Sequence, residues 1–263
     1  MTTRPSIPAM ILAAGRGERM RPLTDTTPKP LLPVRGKPLM QWPMEALARA
    51  GFTEQVVNTA WLGDKISSHF GPEPLFYKDI TLSKKDQLGK KQIKVNLRYS
   101  HEGQDFGGAL ETAGGIVRVL PLLGPHFWVL AGDVFAPDFL FSQTAVDRFI
   151  ASGKLAHLWL VPNPEHNLKG DFGLSAEGLA LNVTADQAAA QSVRRFTYST
   201  LGLYHRDLFA APFCSIAAGN PHGQKAALAP ILRAAMAQGH VTAALYIGAW
   251  TDVGTPERLA ALG

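Results

Sequence analysis

The sequence predicts an α/β fold, a mixed and mostly parallel sheet flanked by helices. Three observations carry that expectation. Strand-like apolar runs alternate with helix-like segments along the 263 residues. The first run, Pro8 to Ala13, opens into a small-residue turn holding Gly15 and Gly17. A later buried run, Phe127 to Ala131, ends in Gly132-Asp133, and the carboxyl end of a strand is where such sheets bind ligands.

In chain order, Pro8–Ala13 reads as a buried strand and 14–34 as a proline-stiffened loop. Leu39–Ala50 has apolar residues at helical spacing, with Pro43 near its first turn and Gly51 as a stop. Glu54–Thr59 is a second strand and Leu62–Phe70 a second helix ended by Gly71. From Gly71 to Lys91 a loop or hairpin insertion is expected, then a strand over Ile93–Tyr99. Gly107–Ile116 carries four glycines, each costing a helix about 1 kcal/mol against alanine, so a turn is expected before a helix near Ile116–Leu120. That turn is either merely flexible or a close approach of backbone to a flat ligand.

After the Phe127–Ala131 strand, Pro137-Asp138 is expected to cap the next helix. Asp133 itself reads either as another cap or as a ligand-facing carboxylate. Leu155–Val161 is a strand, and Gly170–Leu174 with Gly178–Val183 a hairpin. Asp171 is then either an exposed hairpin aspartate or a contact to a ligand. Arg194–Tyr204 is a strand carrying Thr197, Ser199 and Thr200 among aromatics. Lys225–Gln238 is a helix beginning or kinked at Pro230, and Val241–Ile247 a strand. Thr255 is a natural N-cap with Pro256 at the first helical position, which leaves Asp252 unexplained.

Composition narrows the function. With 46% hydrophobic and 18% charged residues the chain reads as a globular enzyme. The single Cys214 excludes an internal disulfide framework and a Cys-based zinc site, and fits a reducing compartment. No apolar run nears the roughly 20 residues of a membrane span, and the first ten residues lack the apolar stretch of a signal peptide, so a cytoplasmic protein is expected. Six lysines and two aspartates between Lys78 and Lys94 supply four of the five net positive charges. With no aromatics among them, they predict an exposed excursion and not a nucleic-acid surface. Neither a Ser-His-Asp arrangement nor a paired-histidine metal spacing is evident.

The loop Leu12–Val34, LAAGRGERMRPLTDTTPKPLLPV, concentrates Arg16, Arg19, Arg21 and Lys29 against Glu18 and Asp25. It is either a solvated basic surface or a cradle whose backbone N–H groups and cations hold a polyphosphate. It is not a dinucleotide fingerprint, because the third glycine would fall at Met20, nor a P-loop, because no Gly-Lys-Ser/Thr follows. It resembles the signature of the sugar-1-phosphate nucleotidyltransferases, Leu-Ala-Ala-Gly-x-Gly-x-Arg-Met-x-Pro-Leu-Thr followed by Pro-Lys-Pro-Leu, at every fixed position. Gly107–Ile116 (GGALETAGGI) and Trp250–Thr255 (WTDVGT) resemble two further segments of that family.

The resemblance implies a Rossmann-like nucleotidyltransferase fold in one domain over 1–263. About 8–135 would hold the nucleotide, and about 136–263 the sugar beneath a small β excursion. It implies catalytic roles for Arg19 and Lys29, with Ala13, Ala14, Gly15, Gly17, Asn58 and Gly108 completing the nucleotide site. It implies sugar contacts from Glu111, Thr112, Gly115, Asp171 and Thr200, and Mg²⁺ on Asp133 and Asp252. Many relatives carry Glu-Pro or Gln where Gly108-Ala109 stands, so a side-chain contact to the base is either missing here or supplied by Gln104. Relatives also carry glycine near Thr200. Within the family the chain looks most like the N-acetylmuramate-1-phosphate uridylyltransferases of cell-wall recycling, on LETAGGI, GDFGL, WTDVGT and Asn58–Leu62. The alternative is a mannose-1-phosphate guanylyltransferase or another hexose-1-phosphate transferase. A nucleotide-sugar-sensing regulatory subunit is a non-enzyme alternative, against which the presence of Arg19, Lys29, Asp133 and Asp252 speaks. The implied partners are a nucleoside triphosphate and a sugar-1-phosphate, without nucleic acid or membrane, acting as monomer or homodimer.

Overall fold

The computed structural model describes residues 7–82, 87–190 and 192–263. Among these, nine strands form the central sheet: β1 (Ala9–Ala13), β2 (Glu54–Thr59), β3 (Asn96–His101), β4 (His126–Ala131), β5 (Ala156–Val161), β6 (Phe172–Leu174), β7 (Ala180–Leu181), β8 (Arg195–His205) and β9 (Val241–Leu245). The main helices are α1 (Gln41–Arg49), α2 (Gly63–Phe70), α3 (Glu111–Leu123), α4 (Gln143–Ser152) and α5 (Leu228–Ala237). The strands run in the order β7-β6-β8-β4-β1-β2-β3, with β5 joining β8 and β9. Pairings within the first half are all parallel, β3 on β2, β2 on β1 and β1 on β4. The long β8 is the antiparallel seam, bonded to β4, β5 and β6, while β5 and β9 pair in parallel. This is the Rossmann-like α/β fold that was expected. No helix among the described residues is long and apolar enough to cross a membrane.

β1 explains the layering. Its sequence AMILA is apolar on both faces because the sheet is covered on both. Ala9, Ile11 and Ala13 enter one core together with Trp128 and Leu130 of β4. Met10 enters the other with Phe127 and Val129, the alternation that a strand period of two imposes. Successive strands leave β1 on opposite sides, β2 to one and β4 to the other. The crevice at their carboxyl ends is therefore the switch point where open α/β sheets bind ligands. Gly132 N–H donates to Leu12 O at 2.8 Å there, locking the two exits together.

A third core cluster lies under the long loop. Met20, Leu32 and Val34 pack with Leu39, Phe135 and Val253. The loop is thus a folded unit, with one turn over Glu18–Met20, a short helix over Leu23–Thr26 and a second turn over Lys29–Leu31. Its cations are fixed relative to the segments that carry Asp133 and Asp252.

Several elements differ from expectation. The 71–91 segment is the hairpin alternative, with Leu75–Leu82 antiparallel to Gln87–Lys94. Lys84, Lys85 and Asp86 of the charged patch lie outside the described residues. Ile93 belongs to that ribbon, and β3 starts only at Asn96. Val95 N–H bonds back to Pro74 O while Asn96 N–H turns to Thr53 O. α4 is capped by Ser142, whose Oγ accepts Ala145 N–H at 3.2 Å, and not by Pro137-Asp138. α3 begins at Glu111 and takes Gly114 and Gly115 into its body. α5 starts at Leu228 and keeps Pro230 in its first turn. Thr255 caps the last helix as predicted, accepting Arg258 N–H at 3.4 Å.

Candidate active site

At the crevice, Ala13 N–H donates at 2.9 Å to Asn58 Oδ1. Asn58, buried on β2, donates in turn from Nδ2 to Glu102 Oε1 at 2.7 Å, and Glu102 Oε2 accepts Leu110 N–H at 2.8 Å. Glu102 is fully buried. Burial pushes its carboxyl above the usual range, against the Leu110 and Asn58 hydrogen bonds and the Arg118 charge, which hold it down. Two side chains thus tie the end of β1 to the start of α3.

The basic loop is pinned along its length. Thr24 Oγ1 donates to Gly17 O at 2.9 Å, Trp61 Nε1 donates to Thr24 O at 2.8 Å, and the Arg16 guanidinium sits 3.7 Å over the Trp61 ring. Arg16 pairs with Glu18 at 2.6 Å, and Arg21 with Glu18 and Asp25 at 3.4 and 3.2 Å. Lys29 is buried and its Nζ pairs with the half-buried Asp133 carboxylate. Arg19 is exposed and makes no ion pair among the described residues.

A cavity of about 290 Å³ opens beside this loop, lined by Ala13, Ala14, Gly15, Gly17, Lys29, Asn58, Glu111, Thr112, Asp133 and Thr200 among others. A second, of about 540 Å³, shares Leu12, Glu111, Thr112 and Thr200 and continues over Asp171, Tyr198 and the α5 face of Leu228, Ala229, Leu232 and Arg233. The shared wall is where the backbone departs from ordinary values. Thr200 has φ +64° and Glu111 φ +60°, left-handed conformations that a β-branched residue in particular rarely adopts. The Thr200 kink coincides with a register shift between β5 and β8. Ser199 braces it, with its Oγ donating to Trp159 O at 2.6 Å and accepting Leu201 N–H at 3.1 Å, while Trp250 Nε1 donates to Ser199 O at 3.1 Å. A conformation that glycine would hold without strain is held here by its neighbours.

Asp171 is not a free hairpin aspartate. Its Oδ2 accepts Tyr198 N–H at 2.8 Å, and the Asn167 amide lies 3.3 Å from both oxygens. Asp252 sits on a two-residue strand paired with Val134-Phe135, and Val253 N–H donates to Asp133 O at 2.9 Å. Although far apart in sequence, the two carboxylate-bearing residues are therefore adjacent. Asp252 Oδ1 pairs with Arg258 Nη1 at 2.5 Å and His166 Nε2 at 3.0 Å.

Most residues that the sequence singled out converge on the joined cavities, but some stand apart. Arg19 and Asp252 flank them and line neither; the Arg19 guanidinium reaches within 3.4 Å of where a Cβ on Gly254 would stand. Gly108 lines neither cavity, and its neighbour Ala109 does. Gly115 is buried behind the wall, where a Cβ would come within 2.6 Å of Glu102 Oε1 and 2.9 Å of Asn58 Nδ2. Gln104 donates to Asp64 at 2.7 Å beside a separate small cavity. Sequence reasoning missed Glu102 and Arg233. The first lies in a polar stretch that reads as exposed, and the second is an ordinary helix-surface arginine until the fold turns it toward the cavity.

A glycine loop at a parallel-strand switch point, with lysine and aspartate meeting beneath it, defines a nucleotide-handling α/β enzyme. The chain belongs to the nucleotidyl transferase family, whose model matches residues 8–262. It is 43% identical over 254 residues to an N-acetylmuramate alpha-1-phosphate uridylyltransferase of Neisseria meningitidis, covering 95% of this chain and 94% of that one. A protein of the same description from Caulobacter vibrioides is 30% identical over 266 residues, covering 98% and 95%. A solved structure of a Bacillus anthracis protein assigned as a glucose-1-phosphate thymidylyltransferase superposes with a TM-score of 0.70 over 98% of this chain and 94% of that one. At 19% identity it speaks for the fold alone.

Proposed function

We propose that the protein transfers a uridylyl group from UTP to N-acetylmuramate α-1-phosphate, releasing pyrophosphate, as a cytoplasmic step in recycling cell-wall sugars. The observation that carries it is the joining of two cavities at Glu111, Thr112 and Thr200, one walled by the basic loop and the other by the β6–β7 hairpin strand, β8 and α5. Two anionic substrates can lie end to end there, with their reacting phosphates at the shared wall. Relatives of full-length coverage bear the uridylyltransferase description, which favours this reading over guanylyl transfer.

A phosphate oxygen of the sugar-1-phosphate attacks the α-phosphorus of UTP, and the bond from that phosphorus to the bridging oxygen of pyrophosphate breaks. Such chemistry asks for alignment and charge neutralisation more than for a covalent nucleophile. Backbone around Ala14, Gly15 and Gly17 approaches the triphosphate, and the exposed Arg19 neutralises the leaving pyrophosphate. Lys29, at the cavity wall, serves the α-phosphate. Asn58 holds the loop end through Ala13. Gly115 supports the sugar and base pocket indirectly, by leaving room for Glu102. Asp171, Glu111 and Thr112 face sugar hydroxyls. The nucleotide half at about 8–135 and the sugar half at about 136–263 meet across α3, since Glu111 and Thr112 line both cavities.

The donor set fits Mg²⁺. Asp252, on a two-residue strand, and Asp133, in the turn just before that strand's partner Val134-Phe135, offer hard carboxylate oxygens on adjacent segments, and no group of three or more metal-binding side chains occurs among the described residues. Mg²⁺ characteristically takes one or two carboxylates and completes its shell with phosphate and water. When bound, it would neutralise phosphate charge and draw the two substrates together.

The test is pyrophosphate release from UTP, GTP, dTTP or CTP paired with a panel of sugar-1-phosphates. Release with UTP and N-acetylmuramate 1-phosphate is expected. Release only with GTP and mannose 1-phosphate would refute the assignment, and no release from any pair would refute an enzyme.

A further inference from the structure

We infer that Arg233 is the specificity-determining residue that recognises a second carboxylate on the sugar substrate, the one borne by the lactyl ether of a muramate. The inference rests on the proposed function and deepens it. The reaction needs only a sugar carrying a 1-phosphate; an N-acetylhexosamine with an added lactyl group brings an extra negative charge and an extra methyl that the site must accommodate.

The second cavity has the space and the chemistry to do so. At about 540 Å³ it exceeds the nucleotide-side cavity of about 290 Å³. Leu228, Ala229, Leu232 and Arg233 share one face of α5, because residues four apart on a helix stack above one another. Three of the four are apolar and suit methyl groups. The fourth is a guanidinium, whose planar fork of donors matches a carboxylate.

The charge balance of the wall points the same way. Its other charged residues are Glu111 and Asp171, both acidic. Asp171 is held by Tyr198 N–H and Asn167, and a ligand carboxylate near it would be repelled. Arg233 is exposed, and its side chain makes no ion pair or hydrogen bond among the described residues. It is thus a cation on the wall of the second cavity with its donors open to a ligand. The other cationic groups of the site, Lys29 and Arg19, stand on the triphosphate side.

The experiment is a two-by-two comparison of kcat/KM. Wild type and Arg233→Gln are each assayed with UTP and N-acetylmuramate 1-phosphate, and with the same sugar whose lactyl carboxylate has been converted to the carboxamide. Wild type is expected to favour the carboxylate about 10–100-fold, the worth of a charge-assisted pair, mainly through KM. Arg233→Gln is expected to lose that preference, and Arg233→Lys to regain part of it. The exposed position predicts an unchanged melting temperature, which separates a binding loss from a folding loss. A Gln variant that discriminates as wild type does, or that loses both substrates equally, overturns the role of Arg233 while leaving the proposed activity standing. A wild type that turns over neither sugar overturns the proposed activity, and this inference with it.

Discussion

Gly115→Ala separates local propensity from tertiary packing, because the two predict opposite signs. Gly115 lies inside α3, and alanine is favoured over glycine in a helix interior by about 1 kcal/mol, so propensity alone predicts a gain. The structure predicts a loss. A Cβ at this position would stand 2.6 Å from Glu102 Oε1 and 2.9 Å from Asn58 Nδ2, distances that side chains do not tolerate. Glu102 is fully buried and cannot swing into water, so either its bond to Asn58 or its bond to Leu110 N–H must lengthen.

Leaving one buried polar group unsatisfied costs about 1–3 kcal/mol, and overpacking a buried site about as much again. Set against the helical gain, the net expectation is a destabilisation of about 1–5 kcal/mol, a fall in Tm of about 3–15 °C for a chain of this size. Thermal melts followed by circular dichroism, with urea titration as a second measure, read it directly. Turnover should fall further than stability accounts for, since Asn58 also holds Ala13 N–H at the end of β1. A variant at least as stable as wild type would refute the packing account of α3 and the proposed strut between the loop and the helix.

Three further outcomes test the site and its surroundings. Lys29→Met should lower kcat about 10²–10³-fold while the protein still folds, as for removal of one preorganised electrostatic group; unchanged turnover in the pyrophosphate assay would remove Lys29 from the chemistry. Asp252→Asn should abolish Mg²⁺-dependent turnover while costing about 1 kcal/mol or less of stability, the usual worth of a partly exposed ion pair, and a large fall in Tm would instead make Asp252 structural. His157, hydrogen-bonded to Thr242 at 2.9 Å between β5 and β9, has its pKa lowered by burial from 6.5 to about 4. The unfolded chain therefore takes up this proton first, so stability present above pH 6.5 is withdrawn as pH falls toward about 4, by at most about 3 kcal/mol. His157→Gln should flatten that part of the stability–pH curve, and an unaltered curve would exclude His157 as its source.

The parts of the fold that were legible in the sequence are those whose cause is local. β1 and β4 are apolar on both faces, Thr255 and Pro256 cap a helix by themselves, and the loop carries its glycines and cations within one short stretch. What was not legible depends on partners distant in the chain. A continuous alternation through Ile93 to Tyr99 hides the change of partner at Val95, which is set by Pro74 and Thr53. Glycine content argued against a helix over 111–115, yet Gly114 admits the Gln224 carbonyl, 2.5 Å from its missing Cβ, and Gly115 admits Glu102. Glu102 itself reads as solvent-exposed in EGQDF and is buried only because Asn58 and Leu110 close over it. Asp171, undecided from sequence, is fixed by the Tyr198 backbone of β8.

The same distinction bears on how the two carboxylates work with the loop. Asp133 pairs with Lys29, and Asp252 with Arg258 and His166, so each acidic group already has a cation. A divalent ion joining both aspartates would add two positive charges to a set that is already compensated. Such an addition is unfavourable unless anionic phosphates arrive to take over Lys29. Metal and nucleotide are therefore expected to bind together, each weakly without the other. The third core cluster would make that coupling mechanical as well as electrostatic: Met20 and Leu32 of the loop pack on Phe135 and Val253, which stand two residues after Asp133 and one after Asp252. A shift of the loop toward triphosphate would carry the segments bearing Asp133 and Asp252 with it, so binding of nucleotide by the loop is expected to be felt at both carboxylates.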